Sequence, residues 1–405
     1  MEYQGIEYLR RKLTTKQGRV NLRYRYYEMK NRVNDFNITI PKEWSWLKAV
    51  LGWSSKAVDT LADRLVFSQF AEDNFSINEI FNMNSRDILT DSAILSACIA
   101  SCCFVYISKD EDGYPRLQVI DGYNATGILD PITMLLREGY AVLERDSVTK
   151  VPTMEAYFTA EETTFYDLVN HDVFSIPNPA TYALLVPVIY RPDARRPFGH
   201  SRITRACMEL QQAALRTLKR AEVTAEFYSF PQKYATGLSN DNEPMDKYKA
   251  TVSSFLQFTK DEEGDKPVLG QFQQSTTAPH MEQLRIIASL FAGETGLTLD
   301  DLGFAGDNPS SAEAIKAAHE NMRLTARKAQ RTFGSCLLNV GYLAACVRDD
   351  YSYLRRQFYR TIPKWEPIFE PDAAQLSGIG DAANKIAQSF PDYFTEDKLH
   401  DLTGI

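Results

Sequence analysis

The sequence is poor in the residues on which most site chemistry is built. Six cysteines in 405 residues are too sparse for a disulfide scaffold. Cys98, Cys102 and Cys103 cluster, but no CxxC pair exists and no histidine lies near them. Structural zinc sites need such spaced pairs, so the run 94–107 reads as apolar core in a reducing compartment. The five histidines, His171, His200, His280, His319 and His400, show no ligand spacing. No GxxxxGK[ST], GxGxxG after a strand, HExxH or EF-hand loop occurs, which removes a P-loop NTPase core and the common metal and cofactor motifs. Gly199-His-Ser201 lacks the strand elbow and second glycine of a hydrolase nucleophile. Asp300 and Asp301 are adjacent carboxylates, read as a solvated acidic loop. No catalytic residue, metal ligand or cofactor is expected, and the chain does not read as an enzyme.

Long apolar runs are also missing. The stretch 92–108 falls just under the roughly 18 apolar residues of a membrane span. It contains several serines and ends in β-rich sequence, so a helix end followed by a strand is expected. The uncharged stretch 173–190 is broken as a helix by Pro177, Pro179 and Pro187. Met1-Glu-Tyr-Gln-Gly opens without an apolar h-region, so no signal peptide is expected, and no membrane partner. No internal repeat, heptad array or low-complexity tract is visible.

What is present is a core-forming composition with an uneven charge. Forty-four per cent of residues are hydrophobic, too many for a disordered chain, and the length suits roughly two to three domains. Lys and Arg number 45 against 53 Asp and Glu, a net charge of −8. That balance argues against a protein that coats nucleic acid by charge; loose passage of nucleic acid is compatible with it. Residues 1–32 hold nine basic and three acidic side chains, a local +6, leaving −14 on the remainder. Tyr24, Tyr26 and Tyr27 interleave with the basic residues. This segment reads either as a nucleic-acid or partner contact or as a solvated helix with one aromatic face.

The periodicity predicts α+β, mainly helical: helices first, then a sheet, then long helices. A helical rhythm runs through 43–70 and again through 72–98. From Cys102 the period becomes two, and 103–120 reads as strand, turn, strand. Strands are expected at 140–144, 154–158 and 183–190. After a Pro/Gly loop at 191–200, a long helix places Ile203, Cys207, Leu210 and Ala214 on an apolar stripe. Arg202, Arg205, Glu209, Gln212, Arg216 and Lys219 stand on a polar one. Pro231 ends it. A turn-rich stretch 231–278 follows, then a helix from about 279 to 292 with Pro279 in its first turn. The segment 293–308, with four glycines and four acids, reads as a mobile loop. Ser310 and Glu313 form a capping box for a helix of some thirty residues in which Gly334 is a candidate kink. Pro363-Lys-Trp-Glu-Pro367 interrupts later helical patterns. Gly378-Ile-Gly380 precedes a short last helix.

Several stretches in this order resemble the portal (head–tail connector) proteins of tailed bacteriophages, siphovirus type. Tyr26-Tyr27 after a basic helix is similar to that family's Tyr-Tyr segment. Trp53 to Leu65, with Val58-Asp59 and Arg64-Leu65, resembles its Asn/Trp…Val-Val-Asp…Arg-Leu helix. Pro197-Phe-Gly-His-Ser201 resembles its Pro-x-Gly-x-Ser lead-in to the stem helix. The run 225–237 resembles its helix-to-clip junction, Asn308-Pro-Ser-Ser-Ala-Glu313 the start of its wing helix, and Trp365 with the closing helix its C-terminal segment. The likeness spans nearly the whole chain, although the chain is shorter than many relatives.

The resemblance implies a portal architecture assembling into a ring. Residues 1–200 would be the wing, 201–229 and 279–293 the stem helices, 230–278 the clip, 294–309 the tunnel loop, 310–350 a long wing helix and 351–405 the crown. It implies a homo-oligomeric ring, usually of twelve subunits, at one capsid vertex of the virion, assembled in the host cytoplasm. Double-stranded DNA would pass through it transiently and without sequence preference. The partners it implies are the major capsid protein, the terminase large subunit, a head-completion or adaptor protein and a scaffolding protein. Channel residues would be Thr298, Leu299, Asp300, Asp301, Leu302, Gly303, Phe304, Ala305, Gly306 and Asp307, the acids keeping phosphates off the wall. Arg202, Arg205, Arg216, Lys219 and Arg285 would form a charged stem face. The alternative is a monomeric adaptor or scaffold protein without a DNA channel.

Overall fold

A computed structural model describes residues 3–34, 47–229, 233–236, 268–271, 276–304, 317–369 and 373–390, with Tyr393 and Leu399. The described residues fall into two compact units, one drawn from 1–31, 52–208 and 294–405, the other from 32–51 and 209–293.

The first unit opens with α1 (Ile6–Tyr27), α2 (Trp53–Ala62), β1 (Phe67–Ala71), α3 (Ile77–Met83) and α4 (Arg86–Ala100). Strands β2 (Cys102–Lys109), β3 (Pro115–Asp121), β4 (Ala125–Leu129) and β5 (Leu136–Arg145) follow, then β6 (Pro152–Phe158), β7 (Glu162–Asp167), β8 (Asp172–Pro177) and β9 (Leu185–Ile189). Helices α5 (Arg205–Ser229) and α6 (Ala278–Thr295) flank the short strands β10 (Lys233–Thr236) and β11 (Val268–Gln271). Helix α7 (Glu320–Asp349), β12 (Ile362–Trp365) and α8 (Ala373–Ser389) complete the described elements.

Period two from Cys102 becomes a three-stranded antiparallel sheet with β2 at its centre, between β3 and β9. Val105 stands opposite Val119 on one side and Val186 on the other. Because β2 is covered on both faces, Cys103, Phe104, Val105 and Ile107 are all buried, as a central strand requires. Strands β4 to β8 form a five-stranded antiparallel meander. Helix α1 buries Leu9 and Leu13, one turn apart, against Tyr140 and Val142. Each such leucine contributes about 1.5–3 kcal/mol. Helix α7 lies on β2 and β9, burying Phe333, Leu337, Val340 and Ala344; Phe333 stacks on Tyr190 at 6.0 Å. Cys98 and Cys103 are fully buried in this core, and burial pushes the Cys98 thiol up to about 12.

Several sequence expectations are corrected. Among the described residues of 43–70, the rhythm yields a helix at 53–62 alone. Phe67 to Ala71 is instead a strand, antiparallel to β12 with Phe67 opposite Trp365. Aromatic residues favour the pleated, half-buried surface there, and Phe67 and Phe70 are both 2% exposed. The stretch 72–98 breaks into two helices at Ser85, which has φ +53°. Gly334, the candidate kink, lies within a single helix, α7, from Glu320 to Asp349. It admits Pro363: a Cβ there would stand 2.6 Å from Pro363 Cγ. Gly378 and Gly380 lie inside α8 rather than before it. The expected capping box at Ser310 lies outside the described residues, as does most of 230–278.

In the second unit β10 and β11 pair antiparallel, and Thr224 Oγ1 of α5 meets His280 Nε2 of α6 at 3.1 Å. The predicted polar stripe of α5 is not uniformly solvated. Gln212 is buried; its Nε2 donates to Arg32 O at 2.8 Å and its Oε1 accepts from Asn34 N at 2.9 Å. Gln211 Nε2 donates to Leu51 O at 2.7 Å. An irregular segment packed on a helix needs donors and acceptors for its backbone, and these glutamines supply them. Among the described residues, no helix is long and apolar enough to cross a membrane.

Candidate channel and nucleic-acid interface

The predicted channel segment is ordered where it is described. Helix α6 runs to Thr295, so Glu294 and Thr295 are helical rather than loop. Leu297 and Leu302 are buried. Thr298 N and Oγ1 both donate to Asp301 Oδ2 at 2.9 Å, while Asp301 N donates to Thr298 Oγ1 at 3.2 Å. This reciprocal pair starts a 3-10 turn at 300–302. Gly303, with φ +86°, ends it, and Phe304 N donates back to Leu299 O at 3.0 Å. The Phe304 ring then meets Trp53 edge-on at 6.5 Å. Asp300 remains exposed, but Asp301 is spent on the turn. Ala305, Gly306 and Asp307 lie outside the described residues.

The five predicted stem cations are not equivalent. Arg205 and Arg285 are exposed. Arg216 donates to Asn34 O at 3.3 Å, and Lys219 is buried. Arg202 is 7% exposed and does not stand on a charged surface. Its Nε donates to Ala57 O at 3.1 Å, and its Nη2 donates to Thr295 O at 2.5 Å. It therefore ties the C-terminal carbonyl of α6, the negative end of that helix's dipole, to α2. Sequence period placed Arg202 beside Arg205; the chain reaches α5 only three residues later, and the side chain turns inward.

The basic N-terminal helix divides its charges between the fold and a cleft. Arg10 Nη2 pairs with the buried Glu155 at 2.6 Å. Glu138, 2% exposed, accepts from Gln4 N, Gly5 N and Tyr157 Oη at 2.8, 3.0 and 2.9 Å, anchoring the start of α1. Lys12 Nζ donates to Gly127 O at 2.6 Å. Lys12 and Lys16 lie 5.3 and 4.6 Å from the centre of the Phe198 ring. Burial pushes Lys12 down to about 8, with the Lys16 charge adding to it. Burial and Arg19 likewise lower Lys16 and Arg23.

Opposite α1 lies the 191–200 loop. Asp193 Oδ1 accepts from the amides of Arg195 and Arg196 at 2.8 and 2.6 Å, and its Oδ2 meets His200 Nε2 at 2.6 Å. These bonds hold the Asp193 carboxyl below its usual range. Gly199 has φ +75°, and a side chain there would strike Tyr190 O, so the turn requires glycine. Between helix and loop is a cleft of about 640 Å³ that also reaches Arg205, Glu294 and Lys328. A neighbouring cavity of about 290 Å³ shares Arg19, Arg23 and Arg196 with it. The sequence shows Lys12, Lys16, Arg19 and Arg23 on one helical face by their four-three-four spacing; the facing loop is a tertiary fact. Among the described residues, no group of three or more His, Cys, Asp or Glu side chains is placed to hold a metal ion.

The family described as phage portal protein, SPP1 Gp6-like, matches residues 6–377. The chain belongs to that family. It is 24% identical over 330 residues to the portal proteins of Mycobacterium phages L5 and D29, alignments covering 76% of this chain and 67% of each relative. A chain from the virion of the native gene transfer agent particle aligns at 11% identity and TM-score 0.47, covering 87% of this chain and 89% of that one. One from the neck of that particle, computed with C12 symmetry, aligns at 13% identity and TM-score 0.42. The protein is thus a phage portal protein, a structural component of the virion that serves genome packaging and ejection.

Proposed function

We propose that the chain forms a closed ring by head-to-tail repetition of one heterologous contact, and that duplex DNA passes along its axis. Membership of the portal family over residues 6–377 carries this reading. The grouping of 209–293, with 32–51, into a unit apart from the rest, holding two long helices and the antiparallel pair β10–β11, supports the assignment of 209–293 to stem and clip. The turn at 298–304 directly follows α6, which supports its placement at the channel wall, with Asp300 as its exposed acid. Residues 1–200 and 310–350 serve as the wing and 351–405 as the crown. Arg205 and Arg285 are the exposed cations of the stem face. In this reading the ring is twelvefold, assembles in the host cytoplasm and meets the major capsid protein, a scaffolding protein, the terminase large subunit and a head-completion protein. A net −8 per subunit suits passage: contacts that bind DNA strongly would have to be broken at each step.

Mass measurement with negative-stain imaging tests the ring. Twelve copies of 46.0 kDa give roughly 550 kDa for a closed cyclic assembly. A 46.0 kDa monomer under all conditions, without rings in the images, would overturn the reading in favour of an adaptor or scaffold.

A further inference from the structure

We propose that the cleft between α1 and the 191–200 loop is a sequence-independent binding site for the phosphodiester backbone of DNA. The inference rests on the portal reading only for which polyanion is at hand.

The charge count carries it. Arg19, Arg23, Arg191, Arg196, Arg205 and Lys328 line the larger cleft against two acids, Asp193 and Glu294. Both acids are already engaged, Asp193 with His200 and two loop amides, Glu294 with the Thr204 hydroxyl at 3.0 Å. Arg23 Nη1 donates to Ala100 O at 3.1 Å. None of the six cations forms an ion pair among the described residues. Lys16 extends the same row into the adjoining cavity. Like charges gathered without counter-charge repel one another, and they do so here in a chain that carries a net −8. An anion entering the cleft relieves that repulsion.

Composition and shape select the ligand. Five of the six cations are arginines, whose planar fork matches phosphate geometry in a bidentate way. They come from α1, the loop, the first turn of α5 and α7, so they form a row across elements rather than a single pocket for one small ion. Contacts from such a row to phosphate oxygens carry no sequence information. Asp193 and Gly199 hold the loop in place from within, so the site is built before the ligand arrives.

The test uses the full-length chain in its native assembly and a fluorescent DNA duplex of mixed sequence. Anisotropy titrations over a range of salt compare wild type, the double variant Arg19→Glu/Arg196→Glu, the control Arg11→Glu and the conservative pair Arg19→Lys/Arg196→Lys. Arg11 is exposed on α1 but outside the cleft. Expected is at least a tenfold loss of affinity in the double reversal, with a salt slope shallower by about 2 for two lost phosphate contacts. The control should change by less than twofold, and the lysine pair should retain most binding. Equal losses in the control and the double reversal would overturn the site, as would no loss in the reversal or no DNA binding by wild type at low salt. Mass measurement on each sample separates this from the portal reading. If the reversal abolishes the ring but leaves DNA affinity intact, the cleft binds an acidic surface of a second copy and the proposal fails. If wild type forms no ring, the portal reading fails independently.

Discussion

Lys12 holds a charge where the fold resists it. Its ammonium donates to Gly127 O, yet burial and Lys16 push it down to about 8 from the ordinary 10.5. The unfolded chain therefore keeps this proton to higher pH than the folded chain. Between about pH 8 and 10.5 the unfolded state binds more protons, so this residue's contribution to stability rises with pH across that window. Lys12→Met removes the group. Denaturant unfolding across the window should show wild type gaining on the variant as pH rises; a pH-independent difference would refute it. Arg202 poses the opposite case, a buried cation satisfied by carbonyl oxygens. Arg202→Ala leaves the Ala57 and Thr295 carbonyls without their donors and should cost about 2–4 kcal/mol, by loss of charge-assisted bonds and buried packing. Arg202→Lys should recover little, because one ammonium cannot reproduce the planar fork. Thermal unfolding of both variants checks this, and a lysine variant as stable as wild type would contradict it.

At the scale of elements, close approach decides more than propensity does. Helix α7 and strand β12 meet where Gly334 admits Pro363, and β12 in turn pairs with β1. Gly334→Ala improves intrinsic helix propensity by about 1 kcal/mol, so a solvent-facing site would be stabilised. Here the added methyl collides with the proline ring, and overpacking of this kind costs about 1–3 kcal/mol. Destabilisation is therefore expected, with Pro363→Ala in the same chain restoring part of it. A stabilised single variant in thermal unfolding would show that the contact is slack. The period-two run at 102–121 and the long stripes at 205–229 and 320–349 were legible in sequence because strand and helix periods are local. The β1–β12 pair was not, because no local pattern names a partner almost three hundred residues away. Nor was the burial of Gln212, since period alone does not show which helix face will cover irregular backbone.

At the scale of the whole molecule, the chain leaves the first unit near residue 208 and returns near 294. The Thr204 hydroxyl bonds Glu294 at 3.0 Å, so the exit and return lie side by side. A chain in which 209–293 is replaced by a short Gly/Ser linker should keep the first unit folded, because its core of α4, α7 and the two sheets is internal to it. Circular dichroism and a cooperative thermal transition check this; loss of both would show that the unit depends on the excised segment. Charge is also distributed at this scale. The acidic total of −8 coexists with a cleft in which six Lys and Arg outnumber two acids, so the net figure describes no single surface of the protein.

The sequence by itself determined the α+β class, the change from helices to strands at Cys102, the two long helical stripes and the likeness to portal proteins. All of these depend on local period or on short runs in a preserved order. Only the tertiary structure decided what the charged residues do. It buried Arg202 against carbonyls, bonded Arg10 and Lys12 to the sheet and left Arg19 facing Arg196. A side chain's charge is written in the sequence, but its partner is set by which distant backbone or acid folds against it.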